Sequence, residues 1–268
     1  MRKLTTLLFP LVCACLAVSG CLPVVGIASQ QSTSAPQVGQ CYATPDDVLA
    51  DAHDPSPPVS CSQPHTLETY AVLHPAHALD RQTIARMDQQ CVQRIKPFLG
   101  AGDFAQTAVS IYYFTPTRAQ QRDGVRWVRC DAGVLTDTAA RGVRPVTGSL
   151  RDAFANGVPV AYRRCVNSAP NPAAPLALVP CTRPHVAEQM PSGVDLGDAG
   201  SKYPGTKTLT RRANGRCAQI VSSQVPDAAR SLVVVPTETM WRGGLTTAEC
   251  WALAPPGQRL GESEAKPA

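Results

Sequence analysis

The stretch CSQPHTLE at 61–68 returns as CTRPHVAE at 181–188, both reading Cys-x-x-Pro-His-x-x-Glu. The cysteines around it carry the same duplication, and this limits the fold more than any other feature. Beyond the N-terminal segment there are eight, at positions 41, 61, 91, 130, 165, 181, 217 and 250. They form two sets of four in matching contexts. The first of each set, Cys41 or Cys165, stands near a strand start. The second opens the motif, the third lies on a helix and the fourth on a late strand. Pro116-Thr117 precedes Cys130 by the same 14 residues that separate Pro236-Thr237 from Cys250, and Gly124 and Gly244 fall eight residues after those prolines. Self-similarity of this kind marks a duplicated unit.

Each copy is predicted to span about 100 residues, a usual domain size. Copy one covers 38–140 and copy two 156–255, joined by 141–155. In copy one, 65–73 alternates and carries Thr, Tyr and Val, as a strand does. Residues 79–99 place Ile84, Met87, Cys91 and Ile95 on one helical face. Asp80 suits the N-cap, and Gly100 follows the helix end. Segments 107–114 and 125–135 read as further strands. Copy two repeats this with a helix over 206–223 and strands at 231–235 and 246–254. The expected fold is α+β: two tandem small disulfide-stapled domains, each an antiparallel sheet with one packed helix.

Eight cysteines allow 105 pairings. The element order favours nearest neighbours: Cys41–Cys61, Cys91–Cys130, Cys165–Cys181 and Cys217–Cys250. Each closed loop contributes roughly 3–4 kcal/mol in the chain-entropy model. That matters for small cores in a chain with only 5% aromatic residues.

The N-terminus predicts the compartment. Arg2 and Lys3 precede an apolar run that closes on Val18-Ser19-Gly20-Cys21. This reads as a secretory signal over 1–20 ending in a lipobox, with Cys21 as the acylated residue. Several acyl chains then hold the protein stably on the extracytoplasmic face of the cell membrane. An uncleaved anchor over 4–28 is the alternative, being long enough to span about 30 Å of hydrocarbon. Residues 21–37 form a flexible tether, and 256–268 look like a disordered tail. Without Arg2 and Lys3 the chain has 23 basic and 20 acidic residues, a balance that gives no argument for nucleic acid. Arg211, Arg212 and Arg216 read as a solvated helix face.

The Gly39-Gln40-Cys41-Tyr42 start, the CSQPHTLE centre preceded by Val59, and the Pro116-to-Cys130 spacing together resemble the actinobacterial septum-formation family. Its members are secreted or membrane-anchored modules with a Gly-x-Cys-Phe/Tyr start, a Val-x-Cys-x-x-Pro-His-x-x-Glu centre and a closing Cys. Val179-Pro180-Cys181 matches as well, but copy two lacks the glycine two residues before its first cysteine. The resemblance implies division or envelope biology and no known reaction or ligand.

Cys, His and Glu are all metal-ligand types, but a disulfide-bonded cysteine offers no thiolate. In a regular strand His65 and Glu68 would also point to opposite faces. No Gly-x-Ser-x-Gly, His-Glu-x-x-His or P-loop motif is present. Pro64 and Pro184 suit a strand's entry, since proline lacks a donor and holds the preceding residue extended. The motif is therefore expected to be a structural joint, with His65, Glu68, His185 and Glu188 as candidates for a binding role. No catalytic residue, metal or cofactor is expected. The expected function is binding or scaffolding among envelope or division proteins, with no small-molecule substrate. The alternative is an envelope enzyme acting on peptidoglycan or another wall polymer.

Overall fold

The first half forms a six-stranded antiparallel sheet. The computed structural model describes residues 35–100, 104–171, 174–198 and 200–261. Residues 1–34, on which the expected signal, its lipobox and Cys21 fall, lie outside the described residues. So do 262–268. The first-half elements are β1 (Cys41–Tyr42), β2 (Pro58–Val59), β3 (Leu67–Leu73), α1 (Arg81–Leu99), β4 (Val109–Phe114), α2 (Arg118–Arg122), β5 (Val128–Leu135) and β6 (Val143–Arg144). The strands run in the order β2-β1-β3-β5-β4, with β6 also on β5. The second half holds β7 (Cys165–Val166), β8 (Ala187–Gln189), β9 (Val194–Asp195), α3 (Thr206–Gln224), β10 (Arg230–Val234), α4 (Glu238–Arg242) and β11 (Thr247–Leu253). Its order is β10-β11-β8-β7, with β9 on β11. All named pairings are antiparallel. No helix among the described residues is long and apolar enough to cross a membrane.

The long helices follow from their spacing. Asp80 accepts from the Thr83 backbone at 2.7 Å, and Gly100 ends α1 at φ 91°. Met87, Cys91, Ile95 and Phe98 of α1 bury against Ala71, Val128, Cys130 and Ala132 of the sheet. Leu209, Ala213, Cys217 and Val221 do the same for α3. The short helices α2 and α4 start at Thr117 and Thr237, whose side chains accept from Gln120 and Met240. The disulfides are Cys41–Cys61, Cys91–Cys130, Cys165–Cys181 and Cys217–Cys250.

Three features depart from the expected fold. First, each sheet is covered on both faces, not by its helix alone. All eight residues of β5 are buried. Val48 and Leu49 close the face away from α1, and Leu176 and Leu178 cover the corresponding face of the second sheet. Second, 141–155 is no linker. Leu150 and Phe154 are fully buried in the first core, and Val158 and Tyr162, inside the expected second copy, pack there too. Third, the expected tail begins as ordered chain: Leu260 is buried in the second core.

The halves also interlock, and residues 34–268 cluster as one compact unit. Leu178 donates to the Thr136 carbonyl at 2.8 Å, and Thr138 donates to the Leu176 carbonyl at 3.0 Å. Buried Gln189 donates its Nε2 to Gln106 Oε1 at 2.6 Å. Paired edges of this kind leave few orphaned backbone groups at the seam.

Candidate functional site

Each Cys-x-x-Pro-His-x-x-Glu motif closes on a segment that returns from the far end of its own half. In the first half the His65 backbone exchanges hydrogen bonds with Val146 at 2.9 and 2.8 Å. In the second, His185 does so with Leu260 at 3.2 and 2.9 Å. Both histidine rings are buried. His65 Nδ1 lies 2.9 Å from the Gln63 carbonyl and His185 Nδ1 lies 2.8 Å from the Arg183 carbonyl. A carbonyl only accepts, so Nδ1 carries the proton in each ring. The ring thereby ties together the tight turn that the disulfide and proline begin.

The glutamates finish the clasp. Glu68 Oε1 accepts from the Ser149 hydroxyl at 2.6 Å, and Oε2 from the Leu150 backbone at 2.6 Å. The segment so held caps α1. Asp152 and Phe154 donate to the carbonyls of Phe98 and Leu99, two of the acceptors that a helix end leaves orphaned. Gly100 is required at the crossing, because a Cβ there would lie 3.1 Å from the Asp152 Cα. Replacing Glu68 by Gln puts an amide where two donors converge. We expect a loss of about 1–3 kcal/mol by thermal or urea unfolding, with faster proteolysis within 145–155. Unchanged stability and protection would show that the clasp does not depend on this carboxylate.

In the second half Glu188 has a different partner. Buried Arg163 donates to Glu188 Oε1 at 3.2 Å, and His185 Nε2 stands 3.5 Å from Oε2. That second separation is long for a hydrogen bond. Arg163 occupies the position of Gly39, two residues before the first cysteine of each set. The missing glycine of copy two is thus a change of counter-group: Glu68 is met by neutral donors and Glu188 by a guanidinium.

His65 and Glu68 were expected on opposite strand faces. The chain bends at residue 66, and again at 186, before regular strand begins. Alternation is broken there, which is how His185 and Glu188 approach each other. The clusters Cys41, Cys61, Glu68 and Cys165, His185, Glu188 have ligand atoms within 4.8 Å of one another. Their cysteines are all in disulfides, and the carboxylates already hold donors, so the donor set is that of a joint. The four motif side chains are almost wholly inaccessible, between 0% and 2% exposed.

A second buried polar group gave no sequence signal. On β5, Arg129 donates to Asp54 at 2.6 Å and to Asp131 at 2.8 Å. Its guanidinium lies 3.8 Å from the Tyr42 ring centroid and 4.7 Å from that of Phe114. Thr44 and Thr69 donate to the two carboxylates. Burial pushes the Asp131 carboxyl up, against the pull of Arg129 and Thr69. Burial also opposes ionisation of Asp54, but hydrogen bonds from Ser56 and Arg129 outweigh it and hold Asp54 below the ordinary carboxylate range. Val128-Arg129-Cys130-Asp131-Ala132 alternates like a strand with one wet face. The loop before β2 covers that face, and nothing in the alternation announces the loop.

No curated protein and no solved structure matches the chain. A family model described as Septum formation matches residues 73–250, about two thirds of the 268. The match begins just past the first motif, includes the second and ends on Cys250. It runs across both halves as one span, through the disulfides that staple α1 and α3 to their sheets, and on it the chain belongs to the septum-formation family.

Proposed function

We propose that the protein is a non-catalytic, lipid-anchored component of the cell envelope that binds or scaffolds division or wall-assembly proteins. The observation that carries this is the fate of the repeated motif. Its histidines and glutamates are the chain's best candidates for chemistry, and all four are buried and engaged in closing their own halves. Membership of the septum-formation family supports the link to division. The lipobox ending at Cys21 and the four disulfides support an extracytoplasmic, membrane-attached site. In this reading the two halves are tandem family modules of actinobacterial type.

The test is proximity labelling in cells with the anchor intact, alongside a Cys21→Ala variant. Labelled division or wall-synthesis proteins, concentrated at the septum and lost in the variant, are the expected result. Uniform labelling without those proteins would remove the septal role. Unchanged processing and acyl labelling of Cys21→Ala would remove the anchor.

A further inference from the structure

The two halves place a short helix at the same position, and the two helices differ in what lies beside them. In the second half α4 carries Trp241, which is 1% exposed. Trp241 packs against the segment leading into α3. Its Nε1 donates to the Ser201 carbonyl at 2.8 Å, and its ring meets the edge of Tyr203. Glu238 and Arg242 on the outer face of α4 neutralise each other.

In the first half the residue at the Trp241 position is Gln121. It is short and turned back onto the Pro116 carbonyl at 2.7 Å. A cleft of about 390 Å³ remains between α2 and the segment leading into α1, walled by Ala78 and Leu79. The residue at the Glu238 position is Arg118. Arg118, Arg122 and Arg126 all line the cleft, and all are exposed. Among the described residues none of the three is in an ion pair. The duplication therefore supplies its own control: one copy is filled and neutral, the other open and tricationic.

We propose that this cleft binds a phosphoryl group. A guanidinium presents donors in a planar fork that fits phosphate oxygens in pairs. A phosphoryl group brings three terminal oxygens and a charge of about −1.5 to −2 at neutral pH. Three guanidinium groups match this better than they match a lone carboxylate. The volume falls within the usual range for small-ligand sites, and Ala78 and Leu79 offer an apolar wall to whatever moiety carries the phosphate. The site goes beyond the scaffolding reading and stands without it.

The test is calorimetric titration of the disulfide-intact protein with pyrophosphate and glycerol 3-phosphate, beside sedimentation with vesicles of equal parts phosphatidylglycerol and phosphatidylcholine. Saturable binding is expected. It should weaken about tenfold for each guanidinium removed in Arg118→Ala and Arg122→Ala, and vanish in Gln121→Trp, which copies the plug of the second half. Unchanged circular dichroism would show that Gln121→Trp still folds. The Arg211→Ala/Arg212→Ala pair, on an exposed helix face, should bind as wild type. Binding to free phosphates identifies a soluble ligand, and binding to vesicles alone identifies a lipid headgroup. Either supports the site. No binding in both arms would overturn it, as would binding that survives Arg118→Ala/Arg122→Ala or falls equally with Arg211→Ala/Arg212→Ala.

Discussion

Arg129→Met should destabilise the protein by about 3–5 kcal/mol at neutral pH and give stability a new dependence on pH. The side chain is 4% exposed and is the cation shared by Asp54 and Asp131. Met approximates its volume, so lost packing is a minor part. The main cost is two carboxylates left without a counter-charge under the Tyr42 and Phe114 rings. In the wild type the two acids act in opposite senses. Asp54 is held low, so its contribution is present above its unfolded value and is lost as pH falls through the folded one. Asp131 is held high, so its contribution is gained as pH falls. Without Arg129 both folded values rise above their unfolded ones. The folded state then binds more protons than the unfolded state, and stability rises on acidification from pH 7 toward the carboxylate range. Urea midpoints at pH 7 and pH 5 should therefore converge on wild type at the lower pH. A deficit of equal size at both would show that the loss is packing. Neutralising the acids as well, with Asp54→Asn and Asp131→Asn, should recover part of the loss, because an uncompensated charge costs more than a missing pair.

The contacts of this cluster join residues that no local pattern relates, Asp54 and Arg129 lying 75 positions apart. The helices and long strands were legible because each repeats one simple period. Met87, Cys91 and Ile95 face one way, and the cysteines close in nearest-neighbour order because each pair lies on adjoining elements. The short helices α2 and α4 escaped notice: five residues hold too little periodicity, although Thr117 and Gln120 do spell a capping box. The returning segments escaped for a different reason. Residues 141–155 and 256–261 are rich in Gly, Pro and polar residues, and each turns on a few buried side chains, Leu150 and Phe154 in one and Leu260 in the other. Composition averages such anchors away. The motif's own role was half legible. Proline and cysteine announce a strand entry, but the partners of Glu68 lie 81 and 82 residues further on. No local pattern encodes a contact at that separation. The absent glycine of copy two was visible as a departure, and only the geometry shows it as Arg163 meeting Glu188.

Removing the helix-to-sheet disulfide of the first half, as Cys91→Ala/Cys130→Ala, should cost about 4 kcal/mol for a loop of this length. Both cysteines are fully buried and 39 residues apart in sequence. The Tyr70 hydroxyl donates to the Cys91 carbonyl at 3.0 Å beside the bridge, but one hydrogen bond, at about 1 kcal/mol net, replaces little of the covalent constraint. Against a usual total of about 5–15 kcal/mol this is a large fraction. The more discriminating outcome is the shape of the transition. Two independent modules joined by a linker would let the first half melt early while the second kept its transition. The seam argues otherwise. Leu178 of the second half packs on clusters of both halves, its backbone is bonded to Thr136, and Gln106 and Gln189 are buried against each other. Losing the first half would expose that apolar and polar surface on the second, and its own core is small. The variant should therefore unfold in one transition at lower temperature, with calorimetric and van't Hoff enthalpies in agreement. Cys217→Ala/Cys250→Ala should lower the same single transition. Two resolved transitions, each moved by one variant alone, would show the halves to be separate folding units that merely touch.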